Sequence, residues 1–210
     1  MEIKLINIKT KMINEVDLSK SLVYNIFYLG GIMFYIGKDK EEFIPDVLIG
    51  YGTEGKVYYN KNSQEAVKIF YTFNGYDAVM DEDEALKMSR INTEYILLPR
   101  RLVYDERGFF AGYTTKYIKS DVGLYDLFDI YNKLYKDIEI LSNEKIILTD
   151  ILKEGNHVFG DCVYLIDPGY YYFSDASTID IMIKNINNLN KFFDTYMVCE
   201  DSLVRKKKLM

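Results

Sequence analysis

Gly50-Tyr51-Gly52-Thr53-Glu54-Gly55-Lys56-Val57 fits the pattern G-x-G-x-x-G-x-V. Glycines at that spacing let backbone amides approach phosphate oxygens with no Cβ in the way. The residues after the glycines decide which kind of loop this is. A dinucleotide-binding turn runs directly into a helix, whereas Lys56-Val57-Tyr58-Tyr59 is β-branched and aromatic and reads as strand. The stretch from Val47 to Phe70 is therefore predicted as strand, tight loop, strand, turn and strand, with Asn60-Lys61-Asn62-Ser63 as the turn.

Ala66-Val67-Lys68 lies on the last of these strands, where a period of two puts Ala66 and Lys68 on one face and Val67 on the other. A lysine among Val67, Ile69 and Phe70 calls for a negative partner, because an unpaired ammonium is costly to bury. Glu84 is the candidate, in the acidic run Asp81-Glu82-Asp83-Glu84 that opens a helix predicted over 81–91 with Ala85, Met88 and Ile91 on one stripe. Leu97 to Ile118 reads as a further hairpin turning at Asp105-Glu106-Arg107-Gly108. Leu124 to Leu141 reads as a helix with Leu127, Ile130, Leu134, Ile138 and Leu141 at helical intervals. Val158-Phe159 and Val163 to Ile166 flank Gly160-Asp161 as a short hairpin. A final helix opens on the capping-box pair Ser177 and Asp180, with Ile179, Ile183, Ile186, Leu189, Phe193 and Met197 assigned to its buried face. A β-rich half thus precedes a mainly helical one, an α+β arrangement.

Taken singly, each local pattern has a plain structural explanation: an edge strand with Lys68 in water, a solvated helix start at Glu84, a simple turn at Asp167-Pro168-Gly169. Taken in order from Leu48 to Gly169, they resemble the protein-kinase superfamily. The glycine loop, Ala66-x-Lys68, the helix glutamate Glu84, Thr149-Asp150-Ile151-Leu152-Lys153-Glu154-Gly155-Asn156, and Val163 to Ile166 leading into Asp167-Pro168-Gly169 keep the family's order of motifs. Ala111 to Ile118 resembles the strand entering the kinase hinge.

The resemblance implies a reduced, minimal kinase of bacterial or phage type with a bilobal fold. An antiparallel β-rich N-lobe over 47–118 would carry one αC-type helix, and a truncated helical C-lobe would span 119–210. Residues 1–46 would form an extension packing on the N-lobe and able to dock a partner protein. It also implies ATP and Mg²⁺ as cofactors. Gly50, Gly52, Gly55, Val57, Ala66, Lys68, Thr115 (as gatekeeper), Lys116, Ile118, Asp121 and Val158 would contact nucleotide. Asn156 and Asp167 would hold metal, and Asp150, Lys68, Glu84 and Lys153 would carry catalysis. Phosphoryl transfer asks a protein mainly for positioning and charge stabilisation, which suits this residue set. The implied reaction is transfer of the γ-phosphoryl group to a hydroxyl, most readily of a protein serine or threonine. The alternatives are a small-molecule phosphotransferase and a catalytically silent pseudokinase serving as a binding module. Neither Asn156 nor Asp167 is predicted to support the core.

Several positions depart from the family pattern. Leu148-Thr149 stands where the family has His-Arg before the catalytic aspartate, the step from Asp150 to Asn156 is one residue longer than usual, Pro168 replaces phenylalanine, and no A-P-E segment comes after it.

Composition narrows the partners. A net charge of −6 gives no counterion-release drive toward nucleic acid, and the basic run Arg205-Lys206-Lys207-Lys208 reads as a solvated tail. Two cysteines and one histidine furnish neither a disulfide framework nor a zinc ligand set, so a reducing cytoplasm, the chain's own or that of a host receiving it as an effector, is the expected setting. Ser21 to Gly37 is the most apolar window, yet Asn25 and Gly30-Gly31 interrupt it and it is too short to span a bilayer. It is expected to be a buried hairpin or short helix, neither a membrane span nor a signal peptide.

Overall fold

The computed structural model describes residues 6–7, 33–71, 80–120 and 124–196. The chain divides into two compact units, one drawn from 10–90 and 99–117, the other from 1–9, 91–98 and 118–210.

The first unit is a seven-stranded antiparallel sheet with a short helix. In chain order the strands are β2 (Phe34–Ile36), β3 (Glu41–Phe43), β4 (Leu48–Tyr51), β5 (Gly55–Asn60), β6 (Glu65–Phe70), β7 (Leu102–Asp105) and β8 (Phe110–Lys116), and they lie side by side as β3-β2-β7-β8-β6-β5-β4. The predicted strand, loop, strand, turn, strand of 47–70 is β4, β5 and β6, and the predicted 97–118 hairpin is β7 and β8. Alternation decides the faces. Val67 and Ile69 pack with Phe34, Ile36, Phe43, Tyr58, Val103 and Ala111 in one apolar cluster, while Ala66 and Lys68 lie on the opposite face. The Asn60 turn closes because Asn60 Oδ1 accepts from the backbone amides of Asn62 and Ser63. Phe34 to Phe43, read from sequence as part of an extension, is bonded into the sheet through β2 and β7; residues 8–32 lie outside the described residues.

Helix α1 (Glu82–Met88) starts where Asp81 accepts from the Glu84 amide at 2.7 Å, and buries Ala85 and Met88. It ends earlier than the sequence suggests, leaving Ile91 off its stripe, because the Ser89 hydroxyl donates to the Leu86 carbonyl and the amide of Arg90 turns back to Lys87.

The second unit is mainly helical, with α2 (Leu127–Asn143) and α3 (Thr178–Tyr196). Leu124–Tyr125 is not the first turn of α2 but strand β9, paired with β1 (Ile6–Asn7), since Asp126 caps the helix by accepting from the Phe128 and Asp129 amides. Short pairs frame the loops: β10 (Ile146–Ile147) with β13 (Tyr172–Phe173), and the predicted hairpin β11 (His157–Phe159) with β12 (Val163–Leu165). Ser177 and Asp180 form the predicted capping box.

The buried face of α3 is shifted from the one read from sequence and shares Leu189 with it; Met197 lies outside the described residues. Ile181, Asn185, Leu189 and Phe192 face inward, while Ile179 and Ile183 are exposed. Buried Asn185 accounts for the rotation, since its amide serves the backbone of a neighbouring loop and occupies a position that apolar patterning assigns to solvent. Among the described residues no helix is long and apolar enough to cross a membrane.

Candidate active site

In the sheet unit the glycine loop is a tight turn between β4 and β5, closed by the Gly52 amide donating to the Gly55 carbonyl at 3.0 Å. Its glycines have different reasons to be glycine. A Cβ on Gly55 would lie 2.2 Å from the Ile69 carbonyl oxygen, so the close approach of β5 to β6 excludes any side chain there. A Cβ on Gly52 would meet nothing within 4 Å, and one on Gly50 only the Val57 Cβ at 3.9 Å, so packing in the sheet does not require either glycine. Gly112, opposite Ile69 on β8, is demanded by the sheet in its turn, because a Cβ there would sit 1.9 Å from the Lys68 carbonyl oxygen.

Lys68 Nζ donates to Glu54 Oε2 at 2.8 Å, with side chains 11% and 9% exposed. Among the described residues Glu54 Oε1 is buried and has no hydrogen-bond partner. Glu84, the carboxylate that the sequence offers to Lys68, sits in the first turn of α1, where burial and then the neighbouring Asp81 carboxylate push its carboxyl above the usual range. Buried Thr115 pairs across the sheet with Ala66, which brings two predicted nucleotide contacts together, and Lys116 pairs with Glu65. Asp121 lies outside the described residues.

The helical unit gathers a second group. Buried Asn185 on α3 accepts from the Leu148 amide at 2.9 Å and donates to the Ile146 carbonyl at 2.9 Å, while Asn188 donates to the Leu148 carbonyl at 2.7 Å. These bonds fix the start of the loop that Leu148 and Thr149 lead into, and the Thr149 hydroxyl ties it to the Tyr170 carbonyl. Asp150 then adopts a left-handed backbone, φ 60°, as Lys40, Gln64 and Lys145 do elsewhere, a state that aspartate enters more readily than most residues. Asn156 Nδ2 donates to the Asp150 carbonyl at 2.9 Å and reaches its carboxylate at 3.4 Å, and Lys153 Nζ stands 3.7 Å from the same carboxylate. The Asn156 carbonyl accepts from the Ile166 amide at 2.9 Å, which sets Asp167 beside it, and Asp167 caps the next turn by accepting from the Gly169 amide at 3.2 Å. The hydroxyl of buried Tyr171 is pushed up by burial and then by the nearby Asp167 and Asp150 carboxylates. Asp150, Lys153, Asn156 and Asp167 are therefore neighbours. Val158, on β11 opposite Tyr164, and Ile118, whose side chain leaves no room for a Cβ on Gly160, belong to the same unit.

Among the described residues no group of three or more His, Cys, Asp or Glu side chains is placed to hold a metal ion; Mg²⁺ is commonly held by one or two carboxylates together with phosphate oxygens and water. Asp167 with the Asn156 amide oxygen supplies hard oxygen donors of that kind.

Several residues that shape these groups escaped the sequence reading. Glu54 was visible as an acid inside the glycine loop, but its pairing depends on the hairpin register. Asn185 and Asn188 lay hidden in an apolar pattern. Asp137 on α2 is buried and accepts from the backbone amides of Glu94, Tyr95 and Ile96, holding that segment against the helix so that Leu97 and Tyr95 bond to Leu165.

No family model matches the chain, and no curated protein matches it. Among solved structures the chain is similar to the ROP18 kinase domain in complex with AMP-PNP and sucrose, at 14% identity and a TM-score of 0.43 over 77% of this chain. It spans 63% of the length of that chain.

Proposed function

We propose that this chain is an ATP-dependent phosphotransferase of a reduced protein-kinase type, moving the γ-phosphoryl group of Mg-ATP to a serine or threonine hydroxyl of a protein. The observation that carries this reading is the Asp150, Lys153, Asn156 and Asp167 group, assembled from two separated segments around the left-handed backbone of Asp150. The motif order from Leu48 to Gly169 and the buried lysine beside the glycine loop support it. Bound Mg-ATP supplies the phosphoryl group and the metal charge that neutralises its oxygens. Asp167 and Asn156 would hold the metal, Lys68 the phosphate oxygens, and the glycine loop the phosphates through its amides. Asp150 would accept the hydroxyl proton and Lys153 would stand over the developing charge. Asp150 and Lys153 are exposed, so a hydroxyl presented by a second macromolecule has access to them.

Calorimetric titration of the full chain with ATP tests this function, run with and without Mg²⁺. Binding should be metal-dependent, and Asp167→Ala should remove the metal dependence while thermal unfolding shows the chain still folded. ATP binding that is indifferent to Mg²⁺ in the wild type would contradict it.

A further inference from the structure

Burying an ammonium and a carboxylate is tolerated only where each meets the other closely, and Lys68 and Glu54 do so at 2.8 Å with roughly nine-tenths of each side chain out of water. Glu54 is not at a freely swinging tip. Its carbonyl accepts from the Tyr71 amide at 2.9 Å, at the end of β6, the strand that carries Lys68. The next residue, Gly55, lies against the Ile69 carbonyl with no space for a side chain. Backbone and side chain of Glu54 are thus both tied to β6. Its second oxygen, Oε1, is buried and has no hydrogen-bond partner among the described residues. The acids at the start of α1 have duties of their own, since Asp81 caps the helix and Glu82 accepts from the Tyr104 hydroxyl at 2.8 Å.

We propose that Glu54, from within the glycine loop, is the positioning carboxylate for Lys68, the role that the family resemblance gives to Glu84. This rests on the phosphotransferase function proposed above. An ammonium carries three N–H donors, so holding Glu54 and a phosphate oxygen together is within its capacity. Because the same short loop offers backbone amides to phosphate, seating the loop on a nucleotide also sets the lysine.

The test uses the full chain as wild type, Glu54→Gln, Glu54→Asp and Glu84→Gln, with two readouts. The first needs no nucleotide: the rate at which an amine-reactive acylating reagent modifies Lys68, tracked by peptide mass. Loss of the paired carboxylate should speed modification several-fold in Glu54→Gln, and by less in Glu84→Gln. The second is turnover at saturating Mg-ATP together with the Kd of Mg-ATP. Glu54→Gln should lower kcat about tenfold while Kd shifts much less, the mark of an interaction that matters in the transition state. Glu54→Asp, which keeps the charge on a shorter arm, should recover part of the loss, and Glu84→Gln should cost less than Glu54→Gln.

If Glu54→Gln does not fold, Glu54→Asp carries the test, with the same direction and a smaller size. Unchanged modification and unchanged kcat in the Glu54 variants would overturn the proposal. So would a larger kcat loss in Glu84→Gln, or tighter Mg-ATP binding by Glu54→Gln with kcat retained, which would make the carboxylate a competitor of phosphate. A wild type that neither binds Mg-ATP nor transfers phosphate removes the phosphotransferase function and this proposal with it. A wild type that transfers phosphate no better than Glu54→Gln removes this proposal alone.

Discussion

The side-chain amide of Asn156 donates to the backbone carbonyl of Asp150 at 2.9 Å and approaches the carboxylate of the same residue at 3.4 Å. The longer spacing between these residues is absorbed inside the loop, where the Lys153 amide turns back to the Asp150 carbonyl and the Asn156 amide to the Lys153 carbonyl. Asn156 is 6% exposed, so it supports the fold as well as the site, contrary to the sequence expectation that it leaves the core alone.

Asn156→Ala should therefore lower unfolding free energy by about 1 kcal/mol, the usual net worth of one intramolecular hydrogen bond, since the Asp150 carbonyl keeps the Lys153 amide as a donor. It should also reduce Mg-ATP-dependent turnover. Urea denaturation monitored by circular dichroism measures the first effect, and a midpoint equal to that of wild type would show that the tie is not maintained in solution.

The glycines of the loop should separate in the same assay. Gly55→Ala forces a methyl group to within 2.2 Å of the Ile69 carbonyl oxygen and should destabilise the sheet by about 1–3 kcal/mol or more. Gly52→Ala adds a methyl group in open space and should change stability by less than about 0.5 kcal/mol. Mg-ATP affinity should nevertheless fall in Gly52→Ala, where the added methyl group stands between amide and phosphate. Equal thermal stability of the two variants would contradict this division.

His157, the single histidine of the chain, sits among Phe159, Phe192 and Tyr196 with ring centroids 5.6, 5.3 and 4.3 Å away, and its buried Nδ1 has no hydrogen-bond partner among the described residues. Burial lowers its pKa in the folded state below the ordinary 6.5, against a smaller upward pull from Glu154. Above about pH 6.5 the ring is neutral folded or unfolded, and its contribution is fully present. As pH falls below that value the unfolded chain takes up a proton that the folded chain refuses. Stability should then drop by up to about 1.4 kcal/mol per pH unit until the folded-state pKa is reached. His157→Phe should remove that slope, and comparing urea midpoints of the two proteins at pH 7.5 and 5.5 checks it.

The sheet unit was largely legible because its signals are local: glycines at a tight turn, alternation along β6, turn residues at Asn60 and Asp105. The helices were legible as helices but not always by face or start. Asn185 shifts the face of α3 from the sequence reading because a buried amide serving loop backbone looks polar in a pattern that equates polar with exposed. Leu124–Tyr125 reads from sequence as part of α2 because its pairing with Ile6–Asn7 is distant along the chain and leaves no local trace. The proximity of Asp150 and Asn156 was implicit in the motif that suggested it. The Lys68 and Glu54 pairing was not, because it depends on the hairpin register between β5 and β6 and on the way the loop backbone turns at Gly55. The sequence pointed to helix acids because a helix start is where acids are expected.

The most direct measurement of the central claim is phosphoryl transfer by the full chain supplied with Mg²⁺ and either γ-labelled or α-labelled ATP, with a generic protein acceptor present. Label should pass from the γ position to the chain or the acceptor in wild type and be lost in Lys68→Met and in Asp167→Ala, both checked for folding. No transfer from γ-labelled ATP by wild type, transfer of the α label in its place, or full activity in Asp167→Ala would contradict it.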